Sequence, residues 1–234
     1  MDVGTIPHAQ RHKLLGAKLV QATNGDFYGT INAGGANNYG TVFRITPSSK
    51  LTTLYSFCSQ SGCADGMYPH AALIQATDGN LYGTTYGLNS GTRTTGEYGT
   101  IFKITPSGTL TTLYSFCSQT NYADGQNPQA GIVQDTNGTF YGTTQSGTIF
   151  SLSVGLDPFV EPQPTSGKTG AAVKILGADL TGATNITFNG TAAVFKVVSS
   201  SEITTTVPAG ATTGTVQVVT RGGTFSSNVP FQVK

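Results

Sequence analysis

Hydrophobic and polar positions alternate with a period of two along several short segments of this chain, and this pattern predicts β-strands. The segment TIFKIT around Phe102 alternates apolar and polar side chains, and the following TLTTLYSF is rich in β-branched and aromatic residues. Three dipeptides between apolar-rich runs favour the positive φ angles of two-residue hairpin turns. They are Asn24-Gly25, Asp78-Gly79 and Asn137-Gly138.

The strand pattern recurs three times with nearly the same residues. The three copies open with KLVQATNGDFYGT, ALIQATDGNLYGTT and GIVQDTNGTFYGTT, at residues 18–30, 72–85 and 131–144. An internal repeat determines the architecture, and about four short strands per copy match a propeller blade. We therefore predict an all-β fold with a propeller-like array of about three four-stranded repeats.

The third copy is shorter than the first two. Phe43 and Phe102 are 59 residues apart, whereas Phe102 and Phe150 are only 48 apart, because repeat three passes from TTQSG straight to TIFSLS and then stops. Closed propellers typically have four to eight blades, so an isolated chain would leave strand edges unpaired. Self-association into a ring, closure by residues 1–16 and capping by the C-terminal region are the alternatives. We expect a small, partly closed array of repeats, and formation of a homodimer is a further alternative.

Tyrosines recur at the strand ends in YGT triplets. An aromatic motif repeated in each blade is the usual signature of packing between blades, so we favour that role over stacking on a ligand. The five tyrosines are Tyr28, Tyr39, Tyr82, Tyr98 and Tyr141.

The repeat pattern ends near Asp157, and a different all-β pattern follows it. About seven short strands, broken by Gly, Pro and Asn, predict an immunoglobulin-like β-sandwich. A Pro-rich start at 156–162 marks the boundary. The predicted domains are an N-terminal extension (1–16), a repeat domain (17–156, with repeats at about 17–70, 71–128 and 129–156) and the Ig-like domain (157–234).

Two family resemblances become specific at this point. The segments PTSGKTG, VKILGADL, ITFNGTAA and VPAGATTGTVQVVT make residues 157–234 similar to an IPT/TIG domain. The segments ATDGNLYGTT and YGTIFKITPSGTLTTLYSF resemble the Gloeobacter/Verrucomicrobia-type tandem repeat of long secreted or surface-anchored bacterial proteins. The resemblances imply an extracellular bacterial protein, and neither family brings an established catalytic motif.

Composition narrows the range of partners and locations. With 12 basic and 11 acidic residues the chain has no electrostatic footprint for nucleic acid or an anionic membrane. No run of about 20 apolar residues could span a membrane, and MDVGTIPHAQRHK lacks the apolar core of an export signal. The low charge and the Gly, Thr, Ser and Asn content are nevertheless typical of exported proteins. We expect an extracellular or cell-surface location, with the export signal absent from this chain through truncation or removal.

The three cysteines leave several interpretations open. Cys58 and Cys63 bracket SQSG, a spacing that can close a small disulfide loop in an oxidising compartment. Cys117 is the repeat equivalent of Cys58, but Tyr122 stands where Cys63 would be. The sequence therefore offers Cys117 no equivalent disulfide partner. Free thiols are the alternative, and a metal thiolate site has little support because no second CxxC pair is present.

Loop carboxylates are the best candidates for a metal site. Asp65 and Asp124 occupy equivalent loops, and loop carboxylates beside carbonyl oxygens are the ligands that calcium prefers. The competing interpretation is that each Asp stabilises its own turn. His70 and Asp135 are unique, because the equivalent residues in other repeats differ in type. His8 and His12 would share one face of a short N-terminal helix, though a solvated terminal segment is the simpler interpretation.

Two function classes follow. The first is an extracellular binding or adhesion module that recognises a glycan or a protein through repeat loops. The second is a calcium-dependent, propeller-type hydrolase acting on small esters or lactones, such as acyl-homoserine lactones, and it rests on fold analogy alone. An ordinary α/β-hydrolase is excluded, because the chain has no GxSxG motif.

Overall fold

The computed structural model describes residues 18–88 and 96–234 as an all-β structure, with 42% strand and 4% helix. The N-terminal extension, with the expected helix and His8 and His12, lies outside the described residues. Residues 89–95, within the loop inserted in repeat two, lie outside them as well. In the described part of the chain, no helix is long and apolar enough to cross a membrane.

The first repeat forms an antiparallel sheet of four strands that pair in sequence order. They are β1 (Leu19–Gln21), β2 (Phe27–Ile31), β3 (Thr41–Ile45) and β4 (Leu51–Ser56). The short, β-branched and aromatic segments identified in the sequence form these strands because such side chains pack well on a pleated surface.

The second repeat reproduces this sheet. Its strands are β5 (Ile74–Gln75), β6 (Leu81–Thr85), β7 (Thr100–Ile104) and β8 (Leu110–Ser115). Even the irregularity is copied, since the register shifts at Val42/Phe43 in the first sheet and at Ile101/Phe102 in the second. The two repeats are thus the same structural unit.

The third repeat forms a sheet of three strands rather than four. They are β9 (Val133–Gln134), β10 (Phe140–Thr143) and β11 (Ile149–Leu152). Their order is β11-β10-β9, so β11 occupies the place of β3 and β7 but is the outermost strand. The equivalent of β4 and β8 is missing because the repeat sequence ends after β11.

The hairpin turns differ from the predicted two-residue geometry. In the first, Gly25 donates its N–H to the carbonyl of Ala22, and Ala22 donates to Asp26, both at 2.9 Å. Positive φ falls on Gly25 (85°), which follows a type I turn and leads into the next strand. The Asn24 side chain accepts a 3.0 Å hydrogen bond from the N–H of Asp26, so it stabilises a longer turn.

Aromatic pairs join neighbouring sheets at equivalent positions. Phe57 packs edge to face against Phe102 with ring centroids 5.2 Å apart, and Phe116 packs in the same way against Phe150 at 5.0 Å. We call the first contact region the first junction and the second the second junction. Tyr82 also packs on Phe140 of the third sheet at 4.5 Å, in agreement with the packing role expected for the YGT tyrosines.

The C-terminal region is an immunoglobulin-like sandwich. Its strands are β12 (Val160–Gln163), β13 (Ser166–Gly167), β14 (Ala172–Gly177), β15 (Asn185–Phe188), β16 (Thr191–Ala192), β17 (Phe195–Val197), β18 (Glu202–Thr206), β19 (Val216–Thr220), β20 (Gly223–Ser226) and β21 (Gln232–Val233). One sheet has the order β12-β14-β18-β17, the other β16-β15-β19-β20, and β13 pairs with β21 in parallel. The core includes Phe188 edge to face with Phe231 at 5.1 Å.

The chain divides into two compact units. The first comprises Met1–Val133 with Phe140–Leu152, and the second Gln134–Thr139 with Ser153–Lys234. The turn of the third repeat therefore belongs to the second unit. The boundary between residues 156 and 157 stays a prediction.

Candidate functional site

Two connectors, residues 57–73 and 116–132, carry the chain from the outer strand of one sheet to the next. Each begins with the junction phenylalanine and contains a short 3₁₀ turn, at Ser61–Cys63 and at Thr120–Tyr122. A buried aspartate follows each turn, and these residues are Asp65 and Asp124.

The Asp65 carboxylate binds its own connector. Its Oδ2 accepts hydrogen bonds from the Tyr55 hydroxyl (2.9 Å) and from the N–H (2.8 Å) and hydroxyl (2.9 Å) of Ser59. Its Oδ1 accepts from the Gln60 N–H at 3.2 Å. Four donors therefore hold this buried carboxylate, as a buried charge requires.

Asp124 repeats this arrangement in the second connector. Its Oδ2 accepts from the Tyr114 hydroxyl (2.8 Å) and from the N–H (2.9 Å) and hydroxyl (3.1 Å) of Ser118, and its Oδ1 accepts from the Gln119 N–H (3.3 Å). Burial raises the pKa of Asp124, but these hydrogen bonds outweigh it and lower the pKa below its ordinary value. The same geometry raises the pKa of Tyr114, through burial first and then through Asp124.

The glycine after each aspartate docks the connector on the next sheet. Gly66 has a φ of 90°, and a Cβ there would collide with the hydroxyls of Thr85 and Thr100, which are hydrogen-bonded to each other at 2.8 Å. Gly125 has a φ of 80° and lies equally close to Thr144. The ADG motif therefore serves turn geometry and sheet packing in both connectors.

The predicted metal ligands do not form one cluster in the described residues. Asp65 and Asp124 lie in separate connectors, and residues 18–88 and 96–234 contain no group of three or more His, Cys, Asp or Glu side chains suited to a metal ion. The contacts of both aspartates match the turn interpretation. Calcium binding stays a prediction.

The two unique positions lie on the surface. His70 contacts Tyr86 edge to face at 5.1 Å, and partial burial there lowers its pKa. Tyr86, just after β6, donates its hydroxyl to Gln145 at 2.7 Å, which links the second repeat to the third. Asp135 is exposed, and its Oδ1 accepts a 2.7 Å hydrogen bond from the N–H of Thr136. Within the described residues, neither His70 nor Asp135 belongs to a group of three or more His, Cys, Asp or Glu side chains suited to a metal ion.

The cysteines differ between the connectors. Cys58 and Cys63 form a disulfide across the first 3₁₀ turn. Cys117 is free, and its Sγ lies 3.6 Å from both the carbonyl of Gly125 and the side-chain oxygen of Gln126. Burial, followed by the charges of Asp124 and Glu97, raises the pKa of Cys117 to about 11, so the reactive thiolate is disfavoured at neutral pH.

A cleft of about 280 Å³ opens at the second junction. One wall comes from β8 and its connector, and the other is the length of β11. The lining includes Tyr114, Phe116, Gln119, Ala123, Asp124 and Ile149–Leu152. The cleft thus combines a floor of apolar, aromatic and polar side chains with the outer edge of a strand.

The first junction shows why this cleft is open. There β8 pairs with β7, Leu110 packs against the apolar core, and the Thr112 hydroxyl donates a 3.3 Å hydrogen bond to the carbonyl of Ala64. In the described part of the chain the third sheet ends at β11, so no strand there takes the place of β8. Ala123, the equivalent of Ala64, is accordingly exposed.

Sequence reasoning missed Ala123 and the edge of β11 as functional candidates. It searched for side chains that ligate or react, whereas this site consists of backbone groups and a space. The available signal was the 48-residue spacing from Phe102 to Phe150, which showed the repeat ending after its third strand.

Comparison with known families identifies both parts of the chain. The Gloeobacter/Verrucomicrobia repeat model matches residues 10–159, and the IPT/TIG domain model matches residues 160–233. The chain belongs to the Gloeobacter/Verrucomicrobia repeat family and continues into an IPT/TIG domain. Among curated proteins, none matches the chain.

Solved structures give only distant likenesses. An auxiliary nutrient binding protein from Bacteroides ovatus is 21% identical, with a TM-score of 0.29, over 32% of this chain and 20% of that one. Virginiamycin B lyase from Staphylococcus aureus is 15% identical, with a TM-score of 0.37, over 92% and 68%. A putative gluconolactonase is 13% identical, with a TM-score of 0.38, over 89% and 72%. The chain spans only a fifth of the first of these proteins, and at such scores the likenesses say nothing about ligand or activity.

Proposed function

We propose that the chain is an extracellular binding module that recognises a partner protein by accepting one of its extended segments beside β11. The observation that carries this proposal is the cleft at the second junction, which lies where the first junction holds β8. Recognition by strand addition uses an exposed sheet edge for affinity and neighbouring pockets for specificity.

The backbone supplies the first half of the site. β7 pairs with β6 on one side and with β8 on the other, whereas within residues 18–88 and 96–234 β11 pairs with β10 alone. An outermost strand presents a row of N–H and C=O groups that an added strand can pair. The added strand would run along Ile149–Leu152.

The side chains of β8 indicate which side chains an added strand would place in the site. In the first junction an apolar residue, Leu110, packs towards the core, and a hydroxyl two residues later, on Thr112, binds the carbonyl of Ala64. At the second junction Ala123 would offer the equivalent carbonyl. We therefore expect a partner strand with the pattern Leu-x-Thr or a close variant.

The electrostatics favour an uncharged strand. Hydrogen bonds from its own connector already hold the Asp124 carboxylate, and the other lining side chains are apolar, aromatic or uncharged polar ones. A charged side chain placed in this cleft would lose water without gaining an opposite charge. The preferred partner segment is therefore neutral and rich in Thr and Leu.

The extracellular setting is supported by the Cys58–Cys63 disulfide. Disulfides persist in oxidising compartments and are rare in the cytosol. The resemblance to the tandem repeats of secreted and surface-anchored bacterial proteins points the same way.

The glycan and hydrolase alternatives have less structural support. A sugar site needs polar groups free to bind hydroxyls, whereas those of Asp124 and Ser118 are engaged within the connector. A calcium-dependent lactonase needs several ligands at one place, and the two candidate carboxylates serve separate turns.

A peptide-binding experiment tests the proposal. The probe is the fluorescent peptide GTLTTLYSF, which copies residues 108–116, and binding to the full chain is followed by anisotropy. We expect saturable binding that weakens at least about tenfold in Ala123→Arg, because the long side chain fills the cleft from an exposed position. The matched control is Val194→Arg on the exposed surface of the second unit, which should bind as the parent does.

A second peptide checks the recognition pattern. Replacing the Thr that copies Thr112 by Val keeps the shape and removes one hydroxyl, which should weaken binding by about 2- to 12-fold, the value of one net hydrogen bond. Absence of binding, or equal binding by Ala123→Arg, would overturn the strand-addition proposal. Glycan-array binding that Ala123→Arg abolishes would replace the protein partner by a glycan.

A further inference from the structure

Among residues 18–88 and 96–234, two faces of the repeat array carry apolar side chains that are more exposed than their equivalents inside the array. We call the face of the third sheet that carries Val133, Tyr141 and Ile149 the trailing face. We call the face of the first sheet that carries Leu19 and Phe27 the leading face. Internal junctions show what each kind of face normally contacts.

The trailing face exposes residues whose equivalents are buried. Tyr82 in the second sheet is 1% exposed because it packs on Phe140, whereas Tyr141, its equivalent in the third sheet, is 37% exposed. Ile101 is 2% exposed, whereas Ile149 is 78% exposed. Val133 adds a further apolar side chain to this surface. Several large apolar side chains gathered on one surface mark an interaction site.

The leading face also exposes residues whose equivalents in the other repeats are buried. Leu73 and Ile132, which begin the second and third repeats, are each 2% exposed, whereas their equivalent Leu19 is 52% exposed. Leu81 and Phe140 are fully buried in their junctions, whereas their equivalent Phe27 is partly exposed. Phe43, on the same face, is only 1% exposed, so the exposed part of the leading face is the region of Leu19 and Phe27. An adjoining trailing face would cover this region.

We propose that the trailing face of one copy packs on the leading face of a second copy, forming a closed two-copy ring. Both faces belong to this chain, and each has the residue types that form the two internal junctions. The new contact would repeat the pairing of Tyr82 with Phe140 as Tyr141 with Phe27 of the second copy. Two copies of a three-sheet array supply six sheets, within the usual range of closed propellers.

A ring of this kind has two identical junctions related by a two-fold axis. Each junction joins the trailing face of one copy to the leading face of the other. The ring therefore closes only if the rotation that relates the two copies brings both pairs of faces together. This arrangement leaves no exposed trailing or leading face. The proposed strand site lies within one copy, between its own second and third sheets. Ile149 lines that site as well as the trailing face, whereas Leu19 lies outside the site, so Leu19→Asp tests the ring alone.

Sedimentation of the full chain tests the ring. We expect a dimer at micromolar concentration for the parent and a monomer for Ile149→Asp and for Leu19→Asp, each of which places a charge on one face. Both side chains are exposed, so the variants should fold, and circular dichroism checks this. Val194→Asp is the matched control, because Val194 is an apolar side chain 89% exposed outside both faces. It should remain dimeric.

Mixing the two single variants distinguishes this ring from other dimers. One of the two junctions in the mixed pair contains no substitution, so the mixture should dimerise more strongly than either variant alone. A monomeric parent, a dimer that both variants leave intact, a larger oligomer, or a mixture that stays monomeric would each overturn the proposal.

Discussion

The first and second junctions have nearly the same sequence and the same core contacts, but they differ in one strand. Phe57 meets Phe102 in the first as Phe116 meets Phe150 in the second, and each connector carries the same aspartate turn. Among the strands that the structure describes, a fourth strand, β8, completes the first junction, and none completes the second. The connector therefore forms its aspartate hydrogen bonds whether or not a fourth strand is present. Without the fourth strand, the packed interface becomes a cleft.

The largest expected difference concerns the junction phenylalanines. Phe102→Ala should lower the free energy of unfolding by about 3–5 kcal/mol, because its ring is fully buried. Phe150→Ala should cost clearly less, because this ring lies beside the open cleft and is only partly buried. Urea unfolding followed by tyrosine fluorescence measures both, since all 10 tyrosines lie between residues 28 and 141 and report on the repeats. Equal losses would mean that the two junctions are packed alike.

The aspartate turns should behave as structural elements in both junctions. Asp65→Asn and Asp124→Asn each place an amide NH₂ opposite N–H and hydroxyl donors, and each should cost about 1–3 kcal/mol. Addition of EDTA should leave the unfolding midpoint of the parent unchanged. A chelator-dependent fall in the midpoint that the double variant abolishes would favour the calcium interpretation instead.

The alanines that face the fourth-strand position should also distinguish the two junctions. Ala64→Leu should destabilise by about 1–3 kcal/mol through overpacking, because β8 approaches closely enough for Thr112 to bind the Ala64 carbonyl. Ala123→Leu should change stability by no more than about 0.5 kcal/mol, because its side chain enters an open cleft. The same urea experiment compares them, and an equal cost would show that the second cleft is filled.

The smallest effect is the pH dependence contributed by Asp124. Its pKa is lowered in the folded protein, so its stabilising contribution is complete above the unfolded pKa of about 3.9 and is lost as the pH falls through the folded pKa. Thermal unfolding between about pH 6 and pH 2 should therefore show a smaller acid-induced loss in Asp124→Asn than in the parent. Identical pH profiles would contradict the lowered pKa.

The architecture could be predicted from the sequence because each repeat contains the same pattern of strand-forming and turn-forming residues. The strands around Phe102, the blade-like sheets and the change to an Ig-like pattern after the third copy were all predicted and are present. The hairpin turns were assigned one residue too short, because the dipeptide Asn-Gly also suits a type I turn that ends in a positive-φ glycine.

The candidate site was less accessible from sequence. Asp65 and Asp124 were correctly placed in equivalent loops, but their hydrogen-bond donors, Tyr55 and Tyr114, lie ten residues away across the connector, and periodicity does not reveal such contacts. The sequence indicated that edges would be unpaired. Only the structure locates the open edge at β11, beside the exposed Ala123, because that requires knowing which strand is outermost.

Amide hydrogen exchange of β7 and β11, measured with and without the peptide GTLTTLYSF, tests the central claim most directly. We predict that amides of Thr100–Ile104 are protected throughout, since β7 is paired on both sides. Amides of Ile149–Leu152 that face away from β10 should exchange rapidly in the free chain and become protected when the peptide binds. Equal protection of both strands in the free chain, or no change at β11 with saturating peptide, would contradict the account.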